Sequence, residues 1–147
     1  MSFSNILIPV DGSEYSEKAA DKGMAFAMEC SATVTFLNVV DITSLVSNSA
    51  SGGEADTEII KIFNEKANEI IEGVCRRYNY PNASGIVVEG VPREVILSMA
   101  KSKKADLIIM GTHGRTGLNH LLMGSVAEYV IRHSGIPVMV VPNPEGQ

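Results

Sequence analysis

Asp106-Leu107-Ile108-Ile109-Met110-Gly111, followed at once by Thr112-His113-Gly114-Arg115-Thr116-Gly117, is the stretch on which the reading of the fold depends. The run from Leu107 to Met110 is apolar at every position, with no polar alternation. Such runs belong to strands buried on both faces, as in parallel sheets covered by helices on either side. After the glycine-rich loop, Gly124-Ser125 opens a helical pattern through His133 that Gly135 and Pro137 stop. Strand, glycine loop and helix in succession make part of a β-α-β unit.

The same pattern extends in both directions along the chain. Residues 5–10 (NILIPV), 33–40 (TVTFLNVV), 84–89 and 137–141 (PVMVV) read as further strands. Between the first two, residues 13–30 place Ala19, Ala20, Gly23, Met24, Ala27 and Met28 at helical spacing, with Ser13 as N-cap and Glu14 and Glu17 in the first turn. Residues 54–78 repeat Ile59, Ile60, Phe63, Ala67, Ile70, Ile71, Val74 and Cys75 at three- and four-residue intervals, the pattern of a long amphipathic helix. Pro92 suits the first turn of a helix through Lys103, with Val95, Ile96, Met99 and Ala100 inward. The serine- and glycine-rich residues 41–53 read as an exposed, mobile connection. Alternating strands and helices predict an α/β, Rossmann-like three-layer sandwich with a five-stranded parallel sheet. Right-handed crossovers restrict the order, and 3-2-1-4-5 is the expected one.

Composition narrows the function. The 147 residues suit one domain, 1–147, with 45% hydrophobic and 20% charged residues. A net charge of −5 leaves no basic excess for a nucleic-acid backbone. No apolar stretch is long enough to span a membrane, and the first residues lack a secretory pattern, so a cytoplasmic protein is expected. Cys30 and Cys75 fall in helical segments and read as packed thiols, not a disulfide or metal site.

In a sheet of this order the ligand crevice lies beyond the carboxyl ends of strands 1 and 4, where the connections diverge. The loops there are Pro9-Val10-Asp11-Gly12 and Gly111-Thr112-His113-Gly114. Glycines admit close main-chain approach, and Ser125 places a hydroxyl at a helix amino terminus, so phosphate is the natural guest. Arg115, Thr112 and Thr116 add donors. Neither G-x-x-x-x-G-K-[ST] nor G-x-G-x-x-G is present. Ser51-Gly52-Gly53-Glu54 is placed after the wrong strand for an ATP-pyrophosphatase loop. His113, His120 and His133 lack helical metal-pair spacing, and no residue is assigned a catalytic role.

The spacing Gly111-x-x-Gly114, nine residues, Gly124-Ser125 resembles the pattern of the ATP-binding branch of the universal stress protein family. Ile6-Leu7-Ile8-Pro9-Val10-Asp11-Gly12-Ser13, Leu37-Asn38-Val39-Val40-Asp41 and Ile136-Pro137-Val138-Met139-Val140-Val141-Pro142 extend the likeness over nearly the whole chain. The resemblance implies ATP, with Mg2+ or Mn2+ on its phosphates, in this crevice. Pro9, Val10 and Asp11 would border the adenosine, and Val39 the adenine. Residues Gly111, Thr112, His113, Gly114, Arg115, Thr116 and Gly117 would wrap ribose and phosphates, and Gly124, Ser125, Val126 and Ala127 the phosphate tail. Asp11 would accept from ribose or help hold the metal ion, unless it serves the next helix as a cap. The resemblance also implies a homodimer through residues 137–141 and a nucleotide-dependent regulatory role toward an unknown protein partner. Slow ATP hydrolysis and an interaction module with a vestigial site are the alternative readings.

Overall fold

The computed structural model of the chain describes residues 3–47, 57–113 and 123–142. Five strands, β1 (Asn5–Pro9), β2 (Thr33–Asp41), β3 (Ala83–Gly90), β4 (Leu107–Gly111) and β5 (Val138–Val141), form one sheet in the order β3-β2-β1-β4-β5. All four pairings are parallel. This is the 3-2-1-4-5 order anticipated from the alternation of elements. The helices are α1 (Glu14–Cys30), α2 (Ile42–Ser47), α3 (Thr57–Tyr78), α4 (Pro92–Ser102) and α5 (Ser125–His133).

Successive side chains of a strand point to opposite faces, so each central strand feeds two cores. Ile6, Ile8 and Val10 of β1 and its continuation, with Leu107 and Ile109 of β4, pack under Ala20, Met24 and Ala27 of α1 and Ile71 of α3. Leu7, Ile108 and Met110 face the other way, against Ile96 and Ala100 of α4 and Ala127 and Val130 of α5. Every residue of β4 is buried, as its unbroken apolar run requires.

Local signals set the helix ends. Ser13 accepts a hydrogen bond on its side chain from the Ser16 amide at 3.2 Å, capping α1, while Ser31 closes the helix in the left-handed conformation at φ 55°. Pro92 occupies the first turn of α4.

Two sequence expectations are corrected. Residues 42–47 are helical, not an irregular connection, because the Asp41 carboxylate accepts from the Thr43 amide at 3.0 Å and from the Thr43 hydroxyl, fixing the first turn of α2. The rest of that connection, 48–53, and the first residues of the next helix pattern, 54–56, lie outside the described residues. In α3, Ile59 and Phe63 are exposed at 43% and 41%, whereas the sequence pattern put them on the buried face. At 22 residues the helix is about 33 Å long, against about 26 Å for the eight residues of β3. Its inward packing is carried by Ala67 and Ile71, further along.

Candidate functional site

β1 and β4 lie side by side at the centre of the sheet, with Ile6 paired to Leu107. The chain leaves β1 through α1 toward β2 and leaves β4 through α5 toward β5, so the two connections diverge. Their loops meet above the carboxyl ends of the strands, at the position that favours a ligand in sheets of this kind.

The β1–α1 turn is closely hydrogen-bonded. The Val10 amide donates to the Leu37 carbonyl at 2.8 Å, holding the end of β1 to β2. One carboxylate oxygen of Asp11 accepts from the Ser13 amide at 2.9 Å, and the Ser16 hydroxyl, itself buried, accepts from the Asp11 amide and donates to the Ser13 carbonyl. Gly12 turns the chain at φ 85°, a conformation that L side chains rarely adopt. The alternatives for Asp11 are thereby refined: Ser13 caps the helix, and Asp11 holds the turn before it. Pro9 is half-buried and Val10 buried. Val39 is half-buried and packs with the core beneath α4 and α5. Pro9 pairs with Leu37, which puts Val39 level with Asp11.

On the β4 side, Gly111 is buried, and a β-carbon there would lie 2.9 Å from the Tyr15 carbonyl oxygen. Packing of α1 on the strand is sufficient reason for a glycine at this position. A β-carbon on Gly124 would lie 2.9 Å from the Thr112 carbonyl oxygen, which also accepts the Gly124 amide at 2.7 Å. Blocking this glycine therefore strikes the chain's own backbone before any ligand. Gly114, Arg115, Thr116 and Gly117, together with His120, lie outside the described residues.

His113 is only 8% exposed. Its Nδ1 is 3.1 Å from the Thr112 hydroxyl, and its ring packs at 5.2 Å against Tyr15. Among the described residues its Nε2 is buried with no hydrogen-bond partner, an arrangement that costs free energy unless a ligand or water satisfies it. The neighbouring Cδ2 atom lies 3.7 Å from the β-carbon position of Gly124, so this side of the ring is turned toward the start of α5. There Gly124 is extended at φ −67°, ψ 156° and offers no side-chain cap. The first amides of α5, those of Ser125, Val126 and Ala127, are of the kind left without partners inside a helix, and they carry its positive end. Tyr15, which the sequence reading did not single out, joins the two loops by covering Gly111 with its carbonyl and His113 with its ring. The only sequence signal for it was an aromatic residue in an otherwise polar first turn.

These features fit a phosphate-bearing group: an uncapped helix start, a glycine at its head, and an orphaned imidazole nitrogen. A resident metal fits less well. Among the described residues no three His, Cys, Asp or Glu side chains come together as a metal cage.

The profile of the universal stress protein family matches residues 2–142. The chain belongs to the universal stress protein family. It is 38% identical to universal stress protein MJ0531 of Methanocaldococcus jannaschii, over 97% of this chain and 84% of that one. The solved structure of hypothetical protein MJ0577, from the same organism, superposes with a TM-score of 0.84 at 32% identity, covering 97% and 98% of the two chains. A universal stress protein solved in complex with cAMP shares the fold at a TM-score of 0.66 and 21% identity, covering 97% and 98% of the two chains, and that likeness speaks for the fold alone. Among the described residues of this universal stress protein, no helix is long and apolar enough to cross a membrane.

Proposed function

We propose that this universal stress protein binds ATP at the carboxyl end of β1 and β4 and acts as a nucleotide-dependent regulatory switch in the stress response. The observation that carries the reading is the buried His113 Nε2, without a partner among the described residues and turned toward the uncapped start of α5. The glycine spacing from Gly111 to Ser125 supports ATP as the phosphate-bearing ligand. In this reading the amides of Ser125, Val126 and Ala127 and the loop at residues 111–117 take the phosphates, while Pro9, Val10, Asp11 and Val39 border the nucleoside. Asp11 would be the protein carboxylate for Mg2+ or Mn2+ carried on the phosphates, and the ion would neutralise part of their charge. In this reading binding, rather than turnover, is the output. Occupancy then alters the loops that a protein partner reads.

The test is nucleotide affinity in a variant that keeps the helix. Gly124 at ψ 156° already has the backbone that precedes proline, and proline is favoured at the first helical position. Ser125→Pro therefore removes one N–H and one hydroxyl from the cradle while α5 persists. Loss of hydrogen bonds to a charged group is worth about 1.5–3 kcal/mol, so Mg-ATP affinity falls about 10- to 100-fold by calorimetry. Wild-type affinity in folded Ser125→Pro, or a wild-type protein that neither retains nucleotide through purification nor binds Mg-ATP, refutes the site. Recovery of bound ADP would favour the hydrolase reading.

A further inference from the structure

A second concavity lies away from the α5 start. Helices α1 and α3 leave a cleft of about 330 Å3 between them. Its floor is aliphatic, formed by the half-buried Ile70 and Val74 over the buried Val10 and Ala20. Its rim carries both signs of charge, Glu17 from α1 with Glu69 and Arg77 from α3.

The cleft is kept open by a residue that packing does not require. Gly73 sits inside α3, where glycine is disfavoured, yet a β-carbon there would meet nothing within 4 Å. Gly23, on the facing helix, differs: its β-carbon would lie 3.0 Å from Ile8, so close packing explains that glycine. The missing side chain of Gly73 borders empty space in the cleft itself.

The rim charges are only partly used within the chain. One terminal nitrogen of Arg77, Nη2, donates to Asp21 at 2.8 Å and to the Tyr78 hydroxyl at 3.0 Å. Among the described residues the other, Nη1, has a single loose contact, 4.0 Å to Glu17. Among the described residues Glu69 has no hydrogen-bond or ion-pair partner. A purely anionic ligand would meet two carboxylates, and a purely cationic one would meet a guanidinium. A molecule with both charges and an aliphatic body satisfies rim and floor together.

The geometry points to this cleft as a binding site for a zwitterionic aliphatic α-amino acid. Its carboxylate is held by Arg77 Nη1, its ammonium by Glu17 and Glu69, and its side chain lies on Ile70 and Val74. The site borders Gly12 and Ser16, the rear of the turn that carries Asp11.

The experiment is a 1H–15N NMR titration of the full chain with L-valine, L-leucine and L-methionine in the millimolar range. N-acetyl-L-leucine, which lacks the ammonium, and isoamylamine, which lacks the carboxylate, serve as matched controls. At least one amino acid should give saturable shifts at the amides of Gly12, Ser16, Gly73 and Arg77, with both controls about tenfold weaker or worse. Gly73→Met fills the cleft and should abolish the shifts in a folded protein. Should that variant not fold, Glu69→Gln, an exposed rim change, should weaken binding about tenfold while preserving the spectrum. The inference is overturned if none of the three amino acids gives saturable shifts, if the controls respond equally, or if binding survives both variants unchanged. No nucleotide is added, so failure here leaves the ATP reading standing.

Discussion

Gly124 and Ser125 are neighbours with opposite tolerances, and the difference comes from what surrounds each backbone. A methyl group on Gly124 would press on the Thr112 carbonyl oxygen at 2.9 Å and the His113 Cα at 3.3 Å, both main-chain atoms unable to rotate away. Gly124→Ala should therefore destabilise the ligand-free protein by about 1–3 kcal/mol, the usual cost of overpacking. Ser125→Pro should leave its thermal midpoint near wild type. Thermal unfolding without nucleotide checks both, and an unshifted Gly124→Ala would mean that the loop yields freely. The glycine spacing was legible in the sequence, as was the capping by Ser13, whereas Asp11, read as a ribose or metal partner or a cap, accepts from the Ser13 amide and holds the turn. The partners of the glycines were not legible. Tyr15 meets Gly111 and His113 from nearly a hundred residues away in the chain, a contact that only the sheet topology creates.

Helices α1 and α3 are joined at one end by Asp21, Arg77 and Tyr78, whose ring stacks on Phe36. Burial works against ionisation of Asp21, but hydrogen bonds from Tyr78 and Arg77, with the charge of Arg77, outweigh it and hold the carboxyl below its usual 3.8. Burial, with the hydrogen bond to Asp21, pushes the Tyr78 hydroxyl up to about 12. A depressed acid contributes stability that is present above its unfolded value and lost as pH falls through the folded one. A raised phenol contributes stability that is present below 10.0 and lost as pH climbs toward about 12. The contribution is small, about 0–1 kcal/mol, because the Arg77 and Asp21 side chains are 40% and 61% exposed. Asp21→Asn should lower the thermal midpoint slightly at neutral pH, and the gap from wild type should close as pH is taken below 3.8. A gap independent of pH would assign the effect to packing. At this scale the periodicity of α3 identified its inward residues Ala67 and Ile71 but misplaced Ile59 and Phe63. Period alone aligns side chains on one face; it carries no information about how far the sheet extends beneath that face.

The whole sheet was readable because its central strands are apolar without alternation, and that pattern has few solutions besides a doubly wound sandwich. Edges are harder to read from sequence, since an edge strand and a strand awaiting a partner carry the same residues. β5 is an edge here, and Val138, Met139 and Val140 are each only half-buried. We propose that a second copy of the chain covers this strand, as an exposed apolar edge otherwise invites uncontrolled pairing. Sedimentation equilibrium should give twice the chain mass for wild type and the single chain mass for Val140→Lys. A monomeric wild type would dispose of the pairing.

The junction of β1 with β4 joins parts of the chain made far apart in time. The Asn5 amide donates to Asp106 across a separation of 101 residues, and Ile6 lies beside Leu107. On the ribosome, β1, β2 and β3 emerge long before β4, and they can assemble as a half-sheet. Until then the inner edge of β1 stays bare, with apolar side chains on both faces and unpaired amides along its rim. In the nascent chain that edge lacks its partner until residues 107–111 have been made and released, the condition under which long-range pairing is slow and exposed to aggregation.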